Sequence, residues 1–172
     1  MKTVAGVFTD RMQAQQAIED LRAAGVMPDR VSVIARDPER AREVAGQTGA
    51  EVATGAASGA GVGAILGGAA GWLVGIGALA IPGIGPIVAA GPIAAALGVA
   101  GTTAAAGAGV GIAAGGIVGA LSGWGFSESE ARAYEERVAQ GDILLAAQVD
   151  DDAADRTENL LERRGADRVS TG

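Results

Sequence analysis

The chain has 172 residues, no cysteine, no histidine, a single lysine (Lys2), and 13 basic against 20 acidic side chains, for a net charge of −7. That inventory excludes a disulfide framework, a thiolate nucleophile, the commonest general base and zinc ligand, a Schiff-base lysine and the lysine of a phosphate-binding loop. The acidity also argues against nucleic acid, whose binding rests on cationic neutralisation of phosphates.

In chain order, MKTVAGVFTDRMQAQQ has no long apolar core ahead of Asp10 and Arg11, so it does not read as a secretory signal and the expected location is the cytoplasm. VAGVF at 4–8 reads as a strand. Thr9 or Asp10 can cap a helix whose apolar positions Ala14, Ala17, Ile18 and Leu21 recur at helical spacing, Gly25 stops it, and VSVIA at 31–35 resumes the strand pattern. A short helical piece is expected near Pro38 to Ala45. At the other end the plan repeats: ILLAAQV at 143–149 is a strand, Asp150, Asp151 and Asp152 open a helix bearing Ala154, Leu160 and Leu161, and Gly165 ends it. The joints correspond too, since LRAAGVMPDRVS at 21–32 resembles LERRGADRVS at 161–170 with two residues fewer after the glycine.

Two βαβ units predict an α+β fold of the split ferredoxin-like type, with four strands in one sheet and both helices on one side. The expected organisation is a first βαβ half at 1–50, an insertion at 51–126, and a linker helix with the second half at 127–172. In the linker helix SESEARAYEERVAQG, Ser127 and Glu130 have capping-box spacing and Gly141 is the stop. The halves are expected to close their sheet without the insertion.

The insertion is uncharged from 52 to 127, 76 residues, while the flanks hold seven bases against eight acids and six against twelve. Within it glycine falls on every fourth position, at Gly55, Gly59, Gly63, Gly67, Gly71 and Gly75, and again at Gly107, Gly111, Gly115, Gly119 and Gly123. Between the ladders IPGIGPIVAAGP carries Pro82, Gly83, Gly85, Pro86 and Pro92, a turn signal. The expected structure is a glycine-zipper αα-hairpin with helices near 56–80 and 93–123 and its tip at 81–92. At 1.5 Å rise per residue these helices would reach roughly 37 and 46 Å, beyond the roughly 30 Å of a bilayer core.

Each glycine costs about 1 kcal/mol against alanine in an exposed helix, so the ladder should serve a neighbour: without side chains on one ridge, two backbones approach closely. A step of four residues advances 400°, so the ridge drifts about 40° per step and one straight partner cannot follow it throughout. The remaining glycines are expected to face another chain, giving a homo-oligomer.

The succession VAGVF, QAIEDLRAAGV, DRVSVIARD, GALAIPGIGPIVAAGPIAAAL and ESEARAYEERVAQGDILLAAQVDD resembles bacterial general stress proteins of the heat-induced, 17M-like type over nearly the whole chain. The AIPGIGPIVAAGP stretch with AYEERVAQGDILL is its most specific part. The resemblance implies a stress-associated protein and carries over no catalytic residue.

Gly59, Gly61 and Ala64, and again Gly109, Gly111 and Ala114, match a dinucleotide fingerprint, but neither is expected to follow a strand, and the first has no acid about 20 residues on. Asp150, Asp151, Asp152 and Asp155 suit the start of a helix better than a cation site. Glu128, Glu130, Glu135 and Glu136 read as a solvated helical face. Trp72 and Trp124 fit either a bilayer interface or packing. The sequence thus calls for no enzyme, cofactor, metal or small-molecule substrate. Three readings stand: a self-associating protein attached to the cytoplasmic membrane through its hairpin, a soluble homo-oligomer with hairpins buried between subunits, and a small-ligand-binding ferredoxin-like domain.

Overall fold

The computed structural model describes residues 1–36, 77–81, 84–97 and 116–172. Over these the chain runs β1 (Lys2–Phe8), α1 (Arg11–Ala23), a 3-10 turn (Pro28–Arg30), β2 (Val31–Ala35), β3 (Gly77–Ile81), β4 (Gly85–Ala90), α2 (Pro92–Ala96), α3 (Gly116–Ser122), α4 (Glu128–Gln140), β5 (Ile143–Val149), a second 3-10 turn (Asp151–Ala153), α5 (Ala154–Arg163) and β6 (Asp167–Thr171). The strands make one antiparallel sheet in the order β3-β4-β2-β5-β1-β6. The two terminal β-helix-β stretches are interleaved in it: β5 lies between β1 and β2, and β6 flanks β1.

The local stops and starts follow the chemistry of the sequence. Asp10 caps α1, its carboxylate accepting from the Met12 N–H at 2.7 Å and the Gln13 N–H at 3.3 Å. Ser127 and Glu130 close a capping box on α4, and Gly141 ends that helix in the left-handed region at φ 104°. Gly25 and Gly165 stop α1 and α5 with φ of 85° and 84°.

The central strands are buried on both faces, which is why they read as unbroken apolar runs rather than alternating ones. On the first face, α1 and α5 bury Ala14, Ala17, Ile18, Leu21, Ala154 and Leu161 against Val4, Phe8, Val31, Val33, Leu145 and Ala147. Both βαβ helices therefore lie on one side, as the repeat predicts. On the second face, Ala5, Val7, Ile34, Leu144 and Ala146 are covered by Ile84, Ile87, Ile93, Ile117, Leu121, Phe126, Tyr134 and Val138.

Residues 77–81 and 84–90 depart from the expected helical hairpin. Where a helix over 56–80 was to end and a tip at 81–92 to follow, β3 and β4 pair in a β-hairpin, and β4 adds to the edge of β2 with Val33 opposite Ala90 and Ala35 opposite Val88. The physical reason lies in the company the segment keeps. Proline and glycine at this density cannot hold a helix, whereas strand pairing satisfies the backbone and seats Ile84, Ile87 and Ala89 in the second core. Pro86 lies beyond the part of β4 that pairs with β2, so its missing N–H breaks no bond there. Pro92 is the first residue of α2, where a proline N–H is not needed. Of the second expected helix, 93–123, the two described ends are helical, in the five-residue α2 and the seven-residue α3, and positions 98–115 lie outside the described residues.

Candidate functional site

Several charged side chains of the described residues pair with one another at the surface of the folded body. Arg137 on α4 binds Asp142 in the turn after Gly141 and reaches Asp167 at the start of β6 at 2.6 Å. Arg164 after α5 holds Asp20 of α1 at 2.5 Å. Arg36 donates to the carbonyl of Ala139 at the C-terminal end of α4, where a cation is favoured.

The acids singled out above as candidate ligands are dispersed. Asp150 faces Arg30 at 3.7 Å, Asp152 faces Arg156 at 3.7 Å, and Asp151 pairs with the Met1 ammonium at 2.9 Å. None of the three makes the expected capping bond: Asp150 precedes the 3-10 turn without a side-chain cap, and the residue before α5 is Ala153. Glu128 pairs with Arg132 at 2.5 Å, and Glu130 serves the capping box. Among the described residues no group of three acids is placed to hold a metal ion. A shallow groove of about 240 Å³ runs past Met27, Arg30, Gln148, Asp150, Asp152 and Arg156. Its charges are mixed, so it selects neither sign of ligand.

Of the self-association residues, Gly55, Gly59, Gly63, Gly67, Gly71, Gly75, Gly107, Gly111 and Gly115 lie outside the described residues, as does Trp72. Gly119 and Gly123 are described. Helix α3 buries Ile117, Ala120 and Leu121, while Gly119 on it is half-buried and Gly123 just after it is exposed. The two ladder positions are therefore not part of the face that α3 turns to the core. Of the expected tip, Pro82 and Gly83 lie outside the described residues and Gly85, Pro86 and Pro92 sit in β4 and α2. Trp124 is half-buried against the second core, which fits packing.

The most concentrated polar constellation was not foreseen. Tyr134, the chain's one tyrosine, is fully buried, and its hydroxyl lies 3.0 Å from the Ala5 carbonyl, 2.7 Å from the Arg168 carbonyl and 2.7 Å from the Ser170 hydroxyl. Phe126 meets its ring edge-on at 5.9 Å. A lone tyrosine among the charges of AYEERV, three residues from Ala131 and four from Val138, was the available signal. It marks the apolar stripe of the helix, but its partners belong to strands more than 30 residues away in either direction.

The titration of these groups predicts the limits of stability. Hydrogen bonds from Ser127 hold the Glu130 carboxyl below its ordinary 4.5, and the Arg137 guanidinium holds Asp167 below its ordinary 3.8. Both contribute stability above those values that is lost as pH falls through the lowered ones. Glu135, raised by burial, works in the opposite sense in the same range. Burial raises the Tyr134 phenol above 10.0, so its contribution holds below pH 10 and is lost above. Thermal melts across pH are expected to show a plateau that falls below about pH 4 and above about pH 10, with the alkaline fall diminished in Tyr134→Phe.

With this geometry in view, comparison with family models matches residues 3–71 to the heat induced stress protein YflT domain. The match spans the N-terminal β-helix-β stretch and the chain that follows it. Comparison with curated proteins and with solved structures finds no match.

Proposed function

We propose that this protein is a non-enzymatic, stress-associated bacterial module that self-associates through its two glycine ladders, with a split ferredoxin-like core as the platform that carries them. The observation that carries the reading is the separation of charge. All 33 charged side chains lie outside 52–127, and several of the described ones pair at the surface of the folded body, while both ladders lie inside the uncharged stretch. The order β2-β5-β1-β6 with α1 and α5 on one face supports the ferredoxin-like reading of the core, and the stress-domain match supports the context. The placement of Gly119 and Gly123 away from the core face of α3 supports a ladder that serves a neighbour.

The test is positional. Gly67→Leu and Gly115→Leu are expected to weaken self-association by about 1–3 kcal/mol per contact through overpacking, while the off-ladder changes Ala69→Leu and Ala113→Leu leave it intact. Light scattering of the four variants at matched concentration reads this out. Equal oligomer yield in all four would show that the period of four is no interaction surface.

Attachment to a lipid surface is a second reading, favoured by the same uncharged stretch. Among the described residues no helix is long and apolar enough to cross a membrane, and Gly77–Ile81 and Gly85–Ala90 are strands where the end of one helix and the tip were expected. Flotation with vesicles of neutral lipid distinguishes this reading: recovery of the protein with the vesicles supports it, and recovery only in the dense fraction rejects it.

A further inference from the structure

The pairing of β6 with β1 is broken in one place. Val4 lies opposite Thr171 and Ala5 opposite Ser170, but Val7 lies opposite Asp167, so Arg168 and Val169 together face the single residue Gly6. This is a β-bulge, and Arg168 sits in it at φ 50°, the one positive φ of a non-glycine residue among the described residues. The bulge follows from the internal repeat. The first copy has three residues between Gly25 and Asp29, which form the approach to a 3-10 turn before β2 begins at Val31. The second has only Ala166 between Gly165 and Asp167, so the Asp-Arg pair enters the strand itself. Gly6 leaves room for the bulge: a Cβ there would stand 3.1 Å from Ala166 Cβ and 3.3 Å from Val169 Cγ2.

Tyr134 closes what the bulge opens. Its hydroxyl reaches the Arg168 carbonyl inside the bulge, the Ser170 hydroxyl beyond it, and the Ala5 carbonyl of β1 across from it. The strand is otherwise held less firmly than its neighbours. Among the described residues β6 pairs on one side only, its residues are exposed or half-exposed, and the Thr171 hydroxyl is buried without a partner. Its other ties are the Arg137–Asp167 ion pair, the reciprocal backbone bonds between Thr3 and Gly172, and the packing of Val169, only partly buried, against the first core. By contrast β5 is paired along both edges.

We propose that β6 is a strap that opens without unfolding the rest of the sheet, and that the Tyr134 hydroxyl is the latch that closes it. Opening breaks the one-sided ladder and uncovers the outer edge of β1, while both cores keep the strands and helices that define them. Proteins open in such cooperative parts below the free energy of global unfolding.

Native-state amide hydrogen exchange of the full chain at low urea concentrations tests the proposal. The reporters are the amides of Ser170 and Gly172 in and beside the strap and of Leu145 and Ala147 in β5. In the unmodified protein the strap amides are expected to exchange faster than those of β5 and with little dependence on urea. Tyr134→Phe is expected to speed the strap amides about tenfold, the worth of one net hydrogen bond. Equal rates and equal urea dependence for strap and β5 would overturn the separate opening. An unchanged strap rate in Tyr134→Phe would overturn the latch. If that variant does not fold, Ser170→Ala removes one of the same contacts and is read by the same criterion.

Discussion

A variant in which residues 51–126 are replaced by a short flexible linker is expected to lose its cooperative unfolding transition. The internal repeat taken alone predicts the opposite, because two βαβ units can close a four-stranded sheet and cover one face with α1 and α5. The other face decides the matter. Ile84, Ile87, Ile93, Ile117, Leu121 and Phe126 all come from the removed segment and all are buried against Ala5, Val7, Ile34, Leu144 and Ala146. The edge of β2 also loses β4. Truncating one such side chain to alanine typically costs about 2–5 kcal/mol, and a domain's whole stability is only about 5–15 kcal/mol. Even partial relaxation of α4 onto the exposed face cannot offset the loss of six. A urea melt followed by near-ultraviolet circular dichroism checks this. A steep, single transition in the shortened chain would show that the segment is dispensable for the fold.

Gly91→Ala is expected to be the most damaging single methyl group that can be added to the described chain, at about 3 kcal/mol or more. Gly91 turns the chain from β4 into α2 at φ 80°, and a Cβ there would stand 2.0 Å from the Val31 carbonyl oxygen and 3.0 Å from Ser32 Cα. Both are backbone atoms of a central strand that cannot give way. The same turn seats the Ile93 N–H on the Ser32 hydroxyl at 3.1 Å, so moving it also strands a buried hydroxyl. Gly25→Ala provides the comparison. Its φ is 85°, yet nothing lies within 4 Å of the added Cβ, and only the left-handed backbone penalty of about 1–2 kcal/mol remains. Measured by chemical denaturation, the two variants should differ clearly. Equal losses would mean that the backbone conformation alone, and not the contact with β2, sets the cost at Gly91.

Much of the frame was legible because its signals are local. The caps at Asp10 and Ser127, the stops at Gly25, Gly141 and Gly165, and the helical spacing of Ala14, Ala17, Ile18 and Leu21 each follow from interactions within a turn or two. The repeated Asp-Arg-Val-Ser run was legible too, but its two copies ended in different surroundings. Ser32 lies in an interior strand and receives the Ile93 N–H, while Ser170 lies on an edge and binds Tyr134.

Local signals in the chain were enough to specify the two β-helix-β stretches and the limits of α1 and α4, and composition alone shows that cysteine and histidine are missing. Contacts between distant parts of the chain made strands of Gly77–Ile81 and Gly85–Ala90, covered the second face of the sheet and set a buried tyrosine across a bulge. The physical reason is the range of the interactions. A cap or a glycine stop is satisfied by neighbours in sequence, whereas an apolar, proline-punctuated stretch such as GALAIPGIGPIVAAG has no local preference strong enough to choose. Its conformation was set by the open edge of β2 and the bare face beside it, both made by residues far from it in the chain.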